Sequence, residues 1–544
     1  MLAAALASLT LAACTRGGET GAAGSGAGAS SRHAWTIPDT VRLATVASVN
    51  TLNPLLSTTV NETVAQELVM DPLVATDPQG HDIPILAAQV PSQGNGGISR
   101  DGRTITYHLR HGVRWQDGAP FSSRDVAFTF AAIMNPSTNV STRHGWDQID
   151  HVETPDPYTA VFRLKRPFAP AIRTFFGFSD SPFFVLPAHL LATYHDLNRV
   201  SFNEHPIGTG PFRIVRWIRG DRIEYVANDG YFLGRPKLRR VQLRFVPDEN
   251  TISNQLKAHE IDWFLFPTPR VYPNVHGVDG VVVPLVPLNS YDAIQINMSH
   301  PPLDDARVRL AIGLAVDKKE LVREITFGTA IPATEDLPPH FWAFDPGAGT
   351  TARDLPRAKA LLDQAGWRTG PDGVRVKNGR RLTLGLAYQS ATATDRQRSV
   401  LVAAMLKDAG IALELKGYTT SLLFAPVGTG IMADGRYDLG LTSWFAGADP
   451  DDSTQLLCDQ IPPHGWNWSR YCNHAMDAAQ ADALSHYDIA ARKRTYSRIE
   501  RLLAQDNPFI YLWWPRQMEP MSVDLHGARP NGFEESWNAK DWSI

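Results

Sequence analysis

Few residues in this sequence combine a reactive side chain with a suggestive spacing, and two cysteines with two nearby histidines stand out. Cys458, His464, Cys472 and His474 follow the pattern C-x5-H-x7-C-x-H. Zinc accepts thiolate and imidazole ligands, but they usually come in close pairs, and this spacing matches no common zinc pattern. In an exported protein an even pair of cysteines favours a disulfide. We therefore expect a Cys458–Cys472 disulfide, with a metal site or free thiols as alternatives.

Other chemical motifs are weak. Asp449, Asp451 and Asp452 form an acidic cluster, but it lacks the regular ligand spacing and terminal Glu of a calcium loop. The sequence contains no G-x-S-x-G, H-E-x-x-H or P-loop motif. The Gly-Thr-Gly segment at residues 208–210 lacks the Lys of a nucleotide loop and predicts a tight turn. We predict no catalytic residue, no metal and no cofactor, which favours a binding protein over an enzyme.

The third cysteine, Cys14, ends an apolar N-terminal stretch, MLAAALASLTLAAC. Residues 11–14 resemble a bacterial lipobox, whose cysteine is lipidated and becomes the first residue of the mature protein. No Lys or Arg precedes Cys14, so an upstream start stays open. Residues 15–35 include a Gly/Ala/Ser-rich stretch that predicts a flexible tether. We predict a signal peptide over residues 1–14 and a lipid anchor at Cys14.

The amino-acid composition argues against two further classes of protein, nucleic-acid binders and membrane-spanning proteins. The chain has 544 residues, with 52 Lys plus Arg, 56 Asp plus Glu and a net charge of −4. This balance argues against a general nucleic-acid binder, which needs a basic surface. After Cys14 no apolar run reaches the ~18 residues of a membrane span. At about 150 residues per domain, the length suggests several folding units.

Local patterns predict a mixed α/β protein. Alternating residues at 104–110 predict a half-buried strand, and residues 113–115 a second short one. Ser122 with Asp125 resembles a capping box. Residues 301–415 alternate helices with strands, and Asp304 is the expected N-cap of the first of these helices. Strands are also expected at 436–442 and 510–512.

Several longer segments together resemble the extracytoplasmic solute-binding proteins of peptide-type ABC importers, the dipeptide-, oligopeptide- and nickel-binding family (solute-binding family 5). The matching segments run in family order: DGRTITYHLRHGVRWQDGAPFSSRDV at 101–126, PIGTGPF at 206–212, N-x-x-Y-x-x-G-x-P-K at 228–237, VRLAI at 308–312 and AKALLDQAGW at 358–367. Most of these residues make turns, caps and core faces, so they indicate the fold and not the ligand.

The resemblance implies a type II periplasmic-binding fold of class α/β, with two lobes, a ligand cleft between them and an additional α+β domain. Such lobes close around a ligand by a hinge. The implied bounds are residues 36–72, 205–287 and 515–544 for lobe I, 73–204 for the extra domain and 288–514 for lobe II.

The resemblance also implies a ligand site after the strand at 436–442. In the family a Trp and then an Asp supply an aromatic wall and a carboxylate for a peptide's α-ammonium. Trp444 matches the Trp and Phe445 follows it, but Gly447 replaces the expected Asp. Asp449 and Asp451 come later. Either the amine anchor has moved, with Asp449 as the candidate, or the ligand lacks a free N-terminus. The alternatives are a core aromatic for Trp444 and a turn residue for Asp449.

Two further site candidates are weaker. Asn53 lies in the segment corresponding to the family's first strand-to-helix loop, which lines the cleft from lobe I. Trp514 lies near the expected hinge and either lines the pocket or packs in the core. Some dipeptide-type members place a disulfide where Cys458 and Cys472 fall, which strengthens that prediction.

The resemblance implies a lipid-anchored, extracytoplasmic receptor that captures short peptides and delivers them to an ABC permease and ATPase. We expect a monomer that touches the membrane only through its lipid and binds no nucleic acid. A non-peptide solute such as a sugar, metal chelate, opine or antibiotic is the second hypothesis, favoured by Gly447. A sensor or chaperone on this scaffold is a third, and an exported hydrolase a fourth.

Overall fold

The structure is a computed structural model that describes residues 33–177, 183–349, 352–532 and 534–544. The proposed lipidation site, Cys14, and most of the expected tether lie outside the described residues. Within these ranges, no helix has the length and apolar character needed to cross a bilayer.

In chain order, the strands of the described residues are β1 (Thr40–Thr45), β2 (Val74–Thr76), β3 (Asp82–Pro84), β4 (Thr104–His108), β5 (Ile149–Asp156), β6 (Thr159–Leu164), β7 (Phe212–Ile218), β8 (Arg222–Ala227), β9 (Arg240–Phe245), β10 (Trp263–Phe264), β11 (Val281–Val282), β12 (Leu285–Pro287), β13 (Ser290–Ile296), β14 (Ile331–Pro332), β15 (Arg368–Thr369), β16 (Arg375–Lys377), β17 (Arg380–Arg381), β18 (Thr383–Gln389), β19 (Ala412–Tyr418), β20 (Leu439–Phe445), β21 (Phe509–Trp514), β22 (Arg516–Met518) and β23 (Met521–Ser522).

The α-helices of the same residues are α1 (Val60–Glu67), α2 (Ser123–Met134), α3 (Ala171–Thr174), α4 (Ala188–Leu191), α5 (Glu249–Lys257), α6 (Tyr272–Val275), α7 (Ala306–Ala315), α8 (Lys318–Ile325), α9 (Leu355–Gln364), α10 (Ala393–Asp408), α11 (Thr420–Leu423), α12 (Ser453–Leu456), α13 (His474–Ser485) and α14 (Ile489–Asp506).

Lobe I is built on a sheet of strand order β11-β23-β10-β1-β9-β8-β7 among the described residues. Its central strand β1 runs parallel to both neighbours, β9 and β10. The strands come from three separate stretches of chain, near the N-terminus, in the middle and near the C-terminus. They lie in the ranges expected for lobe I, whose bounds remain a prediction.

Lobe II is built on a second sheet, of order β14-β21-β13-β20-β18-β19 in the described part of the chain. Strand β21 has the sequence FIYLWW and is buried throughout. Ile510 and Leu512 pack into one apolar cluster, while Phe509 and Tyr511 pack into another. A continuous apolar run of this kind is typical of a strand covered on both faces.

The extra domain contains the three-stranded sheet β4-β6-β5 and helix α2. The expected capping box of α2 is present, with Ser122 and Asp125 each accepting from the other's backbone N–H. The domain shares one apolar cluster with lobe I, because Ile105 and Phe162 belong to the same cluster as Val41 of β1. The extra domain is therefore fused to lobe I through a common core.

The chain crosses between the lobes at two adjacent places. Strand β12, before the first strand of lobe II, pairs antiparallel with β22, which follows the last one. The Leu288 N–H also donates to the Pro515 carbonyl at 3.3 Å. Two neighbouring crossings give an axis about which the lobes can rotate.

The expected tight turn at residues 208–210 lies against the end of α1. A Cβ added to Gly208 would come within 1.8 Å of the Val69 carbonyl oxygen, and that same oxygen accepts from the Gly210 N–H at 2.8 Å. Only glycine allows the two backbone segments to approach this closely.

Some predicted boundaries were wrong. Asp305, not Asp304, caps α7 by accepting from the Arg307 N–H. Residues 113–115 form only an isolated bridge, between Arg114 and Pro120. Strand β20 begins later than expected and extends through Phe445, because its pairing with β13 continues to that residue. Strand β21 likewise continues through both tryptophans, 513 and 514.

Candidate functional site

A cavity of about 440 Å³ lies between the extra domain and lobe II, where β20 ends. In α/β sheets, ligands bind beyond the carboxyl ends of strands. The lobe II wall comes from the end of β20, the segment after it and a loop further along the chain, and the opposite wall comes from the extra domain. The cavity is lined by Trp444, Phe445, Gly447, Asp449, Asp451 and Trp466, among others, from lobe II and by His144, Phe168 and Arg173, among others, from the extra domain.

Aromatic rings form much of the lobe II wall. Trp444 and Trp466 meet edge to face, with ring centroids 5.2 Å apart and planes at 76°. Trp466 is 52% exposed although it is a large apolar side chain. Such rings give a ligand a large contact area at little entropic cost. Phe445 lines the same cavity.

The loop carrying Trp466 is closed by a disulfide between Cys458 and Cys472. Gln460 and His464 of this loop also line the cavity. Cys458, Cys472 and His474 lie close together, but the sulfurs are bonded to each other and offer no thiolate. The disulfide thus shapes one wall of the cavity.

Asp449, the sequence's candidate for the amine anchor, lines the cavity but already has a cationic partner. Its two oxygens accept from Nη1 and Nη2 of Arg492, each at 2.7 Å. Burial alone lowers the pKa of Arg492, but the charges and hydrogen bonds of Asp449 and Tyr496 together outweigh burial and raise it. Both charges are therefore compensated before any ligand arrives.

Asp451 differs from Asp449 in this respect. Its Oδ1 accepts from the Ser453 N–H at 3.1 Å, and within the described residues no basic side chain forms an ion pair with it. Burial raises its pKa, and the nearby charge of Asp449 raises it further, against hydrogen bonding from Ser453. A cationic ligand group in the cavity would stabilise the ionised form of Asp451.

Gly447, at the position where the family has Asp, adopts φ +66°. This left-handed conformation favours glycine. The Gly447 carbonyl accepts from Nδ2 of Asn289 at 2.8 Å, and Oδ1 of Asn289 lies 2.7 Å from Nε2 of His340. Burial lowers the pKa of His340 to about 4, so the ring is neutral and Nε2 donates. The pair holds the cavity loop in place.

Arg173 connects the two walls. Its Nε donates to Asp82 at 2.8 Å and its Nη2 to the Gly80 carbonyl at 2.7 Å, both in the extra domain. Its Nη1 donates to the Ala448 carbonyl in lobe II. The guanidinium thus ties the extra domain to the loop that carries Asp449 and Asp451.

The remaining two candidates do not line this cavity. Asn53 is fully buried, and its Nδ2 donates to Asn203 at 2.9 Å while its Oδ1 accepts from the Leu55 N–H. Trp514 is 3% exposed and donates through Nε1 to the Glu335 carbonyl at 3.0 Å. In this structure Asn53 fixes a loop of lobe I and Trp514 packs in the core of lobe II.

Sequence reasoning missed Arg173 and Trp466, and named Asp451 only in passing. A Trp inside a short loop between two cysteines was the available signal for Trp466. Arg173 had no comparable signal, because its partner at Ala448 lies 275 positions away.

Comparisons with known proteins agree with this architecture. The family model of the bacterial extracellular solute-binding proteins, family 5 Middle, matches residues 71–460. The chain is 28% identical over 477 residues to Protein XP55 of Streptomyces lividans, covering 87% of this chain and 83% of that protein. It is 26% identical over 501 residues to the oligopeptide-binding protein AppA of Bacillus subtilis, covering 90% and 89%.

Solved structures show the same fold. The structure of NikZ from Campylobacter jejuni in complex with Ni(L-His) has a TM-score of 0.75 at 26% identity, covering 94% of this chain and 100% of that one. AppA from Bacillus subtilis in complex with a nonapeptide has a TM-score of 0.72 at 24% identity, covering 92% and 98%. The family resemblance and the fold class read from the sequence are confirmed. The chain belongs to the family 5 bacterial extracellular solute-binding proteins, the non-enzymatic, extracytoplasmic substrate-binding components of ABC importers.

Proposed function

We propose that this chain is a lipid-anchored receptor that captures short peptides in the cavity between the extra domain and lobe II. The observation that carries the proposal is a half-buried carboxylate beside an aromatic wall: Asp451, with Trp444 and Trp466. The cavity of about 440 Å³ is within the size range of small-ligand sites. AppA, a relative, is named as oligopeptide-binding.

In this proposal Asp451, not Asp449, accepts the peptide's α-ammonium. Asp449 is neutralised by Arg492, so a second cation would gain little from it. Asp451 gains an opposite charge when the ammonium arrives, and a charge-assisted hydrogen bond is worth about 1.5–3 kcal/mol. Trp444 and Phe445 would contact the first side chains of the peptide. Asn53 and Trp514 do not contact the ligand in this proposal: Asn53 fixes a loop of lobe I, and Trp514 packs in the core of lobe II.

Native mass spectrometry of the gently purified protein, repeated after denaturing release, tests the ligand class. Peptide-mass adducts support the proposal, and a single non-peptide adduct overturns it. A sensor or chaperone is favoured instead if the protein stays empty and a mixed peptide pool gives no thermal stabilisation.

Calorimetry with free and N-acetylated peptides then tests whether Asp451 binds the α-ammonium. Asp451→Asn should weaken binding of the free peptide about tenfold or more but leave the acetylated peptide unchanged.

A metal chelate is the second candidate, because two imidazoles, His144 and His464, line the cavity. The similar structure of NikZ is described in complex with Ni(L-His). Titration with nickel and free histidine separates the two candidates. A chelate ligand predicts that His464→Ala removes binding while Asp451→Asn does not.

The lipid anchor rests on Cys14 alone. Expression in a bacterial host with a labelled fatty acid should give a labelled band, and Cys14→Ser should lose the label and release the protein from the membrane fraction. An unlabelled wild-type chain would contradict the lipid anchor, and the proposal that the protein binds peptides would still stand.

A further inference from the structure

One face of the lobe I sheet carries a concentration of arginine that the net charge of −4 does not suggest. The strand register sets three rows side by side on this face of β1, β9, β8 and β7. The rows are Thr40–Arg240–Val226–Arg213, Arg42–Gln242–Glu224–Arg216 and Ala44–Arg244–Arg222–Ile218. Six arginines and one carboxylate therefore lie on one face of the sheet, which we call the arginine face; Arg42 is buried, and the other five arginines are exposed or partly exposed.

The opposite face of the same strands points into the core. Val241, Leu243, Ile223 and Tyr225 alternate with the arginine-face residues and are at most 1% exposed. The arginine face is covered at β1, where Arg42 and Ala44 are buried, but it is open further along the sheet, where Arg213, Arg216 and Arg240 are exposed. Val215, in the bulge between two of them, is 60% exposed.

The charge on this face is only partly compensated. Arg42 pairs with Asp262 at 2.6 Å, and Arg222 pairs with Asp221 and Glu224. Within the described residues Arg213, Arg216 and Arg240 form no ion pair. Burial lowers the pKa of Arg244, and the nearby charges of Arg42 and Arg222 lower it further. A recess of about 330 Å³ beside Arg222 and Arg244 opens on this face.

We propose that the arginine face docks on the surface of an anionic phospholipid bilayer. Arginine is suited to phosphate because its planar guanidinium donates two parallel hydrogen bonds. A sheet face with several arginines in rows can meet many headgroups at once, and each basic residue near such a surface contributes about 1 kcal/mol. An apolar side chain among them, Val215, suits the headgroup boundary.

The chain first packs against lobe I at His33, which pairs with Asp524, and then reaches Thr40 of β1, beside Arg240 in the first row. A lipid on Cys14 would keep lobe I near the membrane, a point that rests on the proposed anchor. Binding by the arginines themselves does not depend on it. Docking would orient lobe I on the bilayer and leave lobe II free to move about the hinge.

Vesicle cosedimentation of the full chain carrying Cys14→Ser tests the proposal without the lipid. At low salt, binding to phosphatidylcholine vesicles with 30% phosphatidylglycerol should exceed binding to pure phosphatidylcholine by about tenfold or more, and fall as salt screens the charges. The triple variant Arg213→Glu, Arg216→Glu, Arg240→Glu should lose this difference. A milder triple change to Gln should lose most of it.

The matched control is Arg368→Glu, Arg494→Glu, Arg498→Glu, which changes the net charge equally at exposed positions away from this face. It should keep vesicle binding. Unchanged thermal stability and peptide binding would show that the test variants are folded. Equal binding to both vesicle types, or equal loss in the control, would overturn the proposal. So would a variant that binds vesicles normally but no longer stimulates its permease, which would assign the face to an acidic protein partner.

Discussion

Asp449 and Arg492 form a bidentate ion pair beside the cavity, with both N–O distances at 2.7 Å. Arg492 is 3% exposed and also donates through Nε to the Ala483 carbonyl at 3.0 Å. The pair joins the segment after β20 to α14. It explains how a loop with three aspartates can stay ordered next to a ligand cavity.

Replacing Asp449 should therefore lower the free energy of unfolding, with little effect on which ligand is bound. Asp449→Ala leaves the Arg492 charge buried and unpaired, which typically costs about 3–5 kcal/mol. Asp451→Asn removes no such pair and should leave stability unchanged or slightly higher. Urea unfolding of both variants measures this. If Asp451→Asn proved the more destabilising of the two, the roles assigned to the carboxylates would be reversed.

Arg173 should govern how long a ligand stays bound. Arg173→Ala removes the donor to Ala448 that ties the extra domain to lobe II, so the cleft should open more often. We expect ligand dissociation to speed up by about tenfold, since a hydrogen bond to a charged group is worth about 1.5–3 kcal/mol. Stopped-flow dissociation of a bound peptide checks this.

Two controls sharpen the Arg173 test. Arg173→Lys keeps the charge but cannot reach all three acceptors, and should give an intermediate rate. Arg163→Ala changes a half-buried arginine of the same domain that pairs with Glu153, and neither residue lines the cavity. Equal rates in the wild type and Arg173→Ala would show that the contact does not hold the cleft shut.

Reduction of the Cys458–Cys472 disulfide should loosen the wall that carries Trp466. The chain-entropy model assigns a loop of this length about 3 kcal/mol. Cys458→Ser with Cys472→Ser should lower the melting temperature and weaken ligand binding together. A melt of the liganded and empty double variant, with and without reductant, measures both effects. Reductant should have no effect on the double variant, which serves as the control for the wild type.

The sequence predicted the fold well where local chemistry decides the structure. The capping box of Ser122 and Asp125 depends on residues three positions apart, and it is found. The close packing of residues 208–210 instead depends on Val69, which is distant in the chain. The end of β20 depends on its pairing with β13, which is distant in the chain, so its boundary was missed.

The site was predicted less well for the same reason. Trp444 and Phe445 were found because they follow a strand that the sequence indicates. Asp449 and Asp451 look alike in sequence, and only the position of Arg492 distinguishes them. Arg173 reaches the cavity from another domain, and no short-range pattern predicts that.

A chain of buried acids behind the cavity predicts an unusual dependence of stability on pH. Glu335, Asp336, Asp452 and Glu500 are all at most 5% exposed. In addition to burial, the charge of Asp336 raises the pKa of both Asp452 and Glu500, and the charge of Glu335 raises that of Glu500 further. Burial, reinforced by the neighbouring acids, raises the pKa of Glu335 to about 9 and that of Glu500 well above its ordinary value.

Because these pKa values are raised by folding, the folded state binds more protons than the unfolded state above pH 4.5. Raising the pH then lowers the free energy of unfolding, by about 1.4 kcal/mol per pH unit for each extra proton. Glu67 and Glu519 in lobe I, with pKa values raised by burial to about 7 and about 8, act in the same direction. We therefore expect the melting temperature to fall steadily between about pH 5 and pH 9.

Glu500→Gln should make the melting temperature depend less on pH, because the amide that replaces the carboxylic acid does not ionise. Glu153→Gln is the control, since that carboxylate is only half-buried and is paired with Arg163. Thermal melts of the three proteins across the range measure the slopes. A wild-type melting temperature that stayed level or rose would show that the buried acids are ionised in the folded protein. The acid chain would then have to hold a compensating cation.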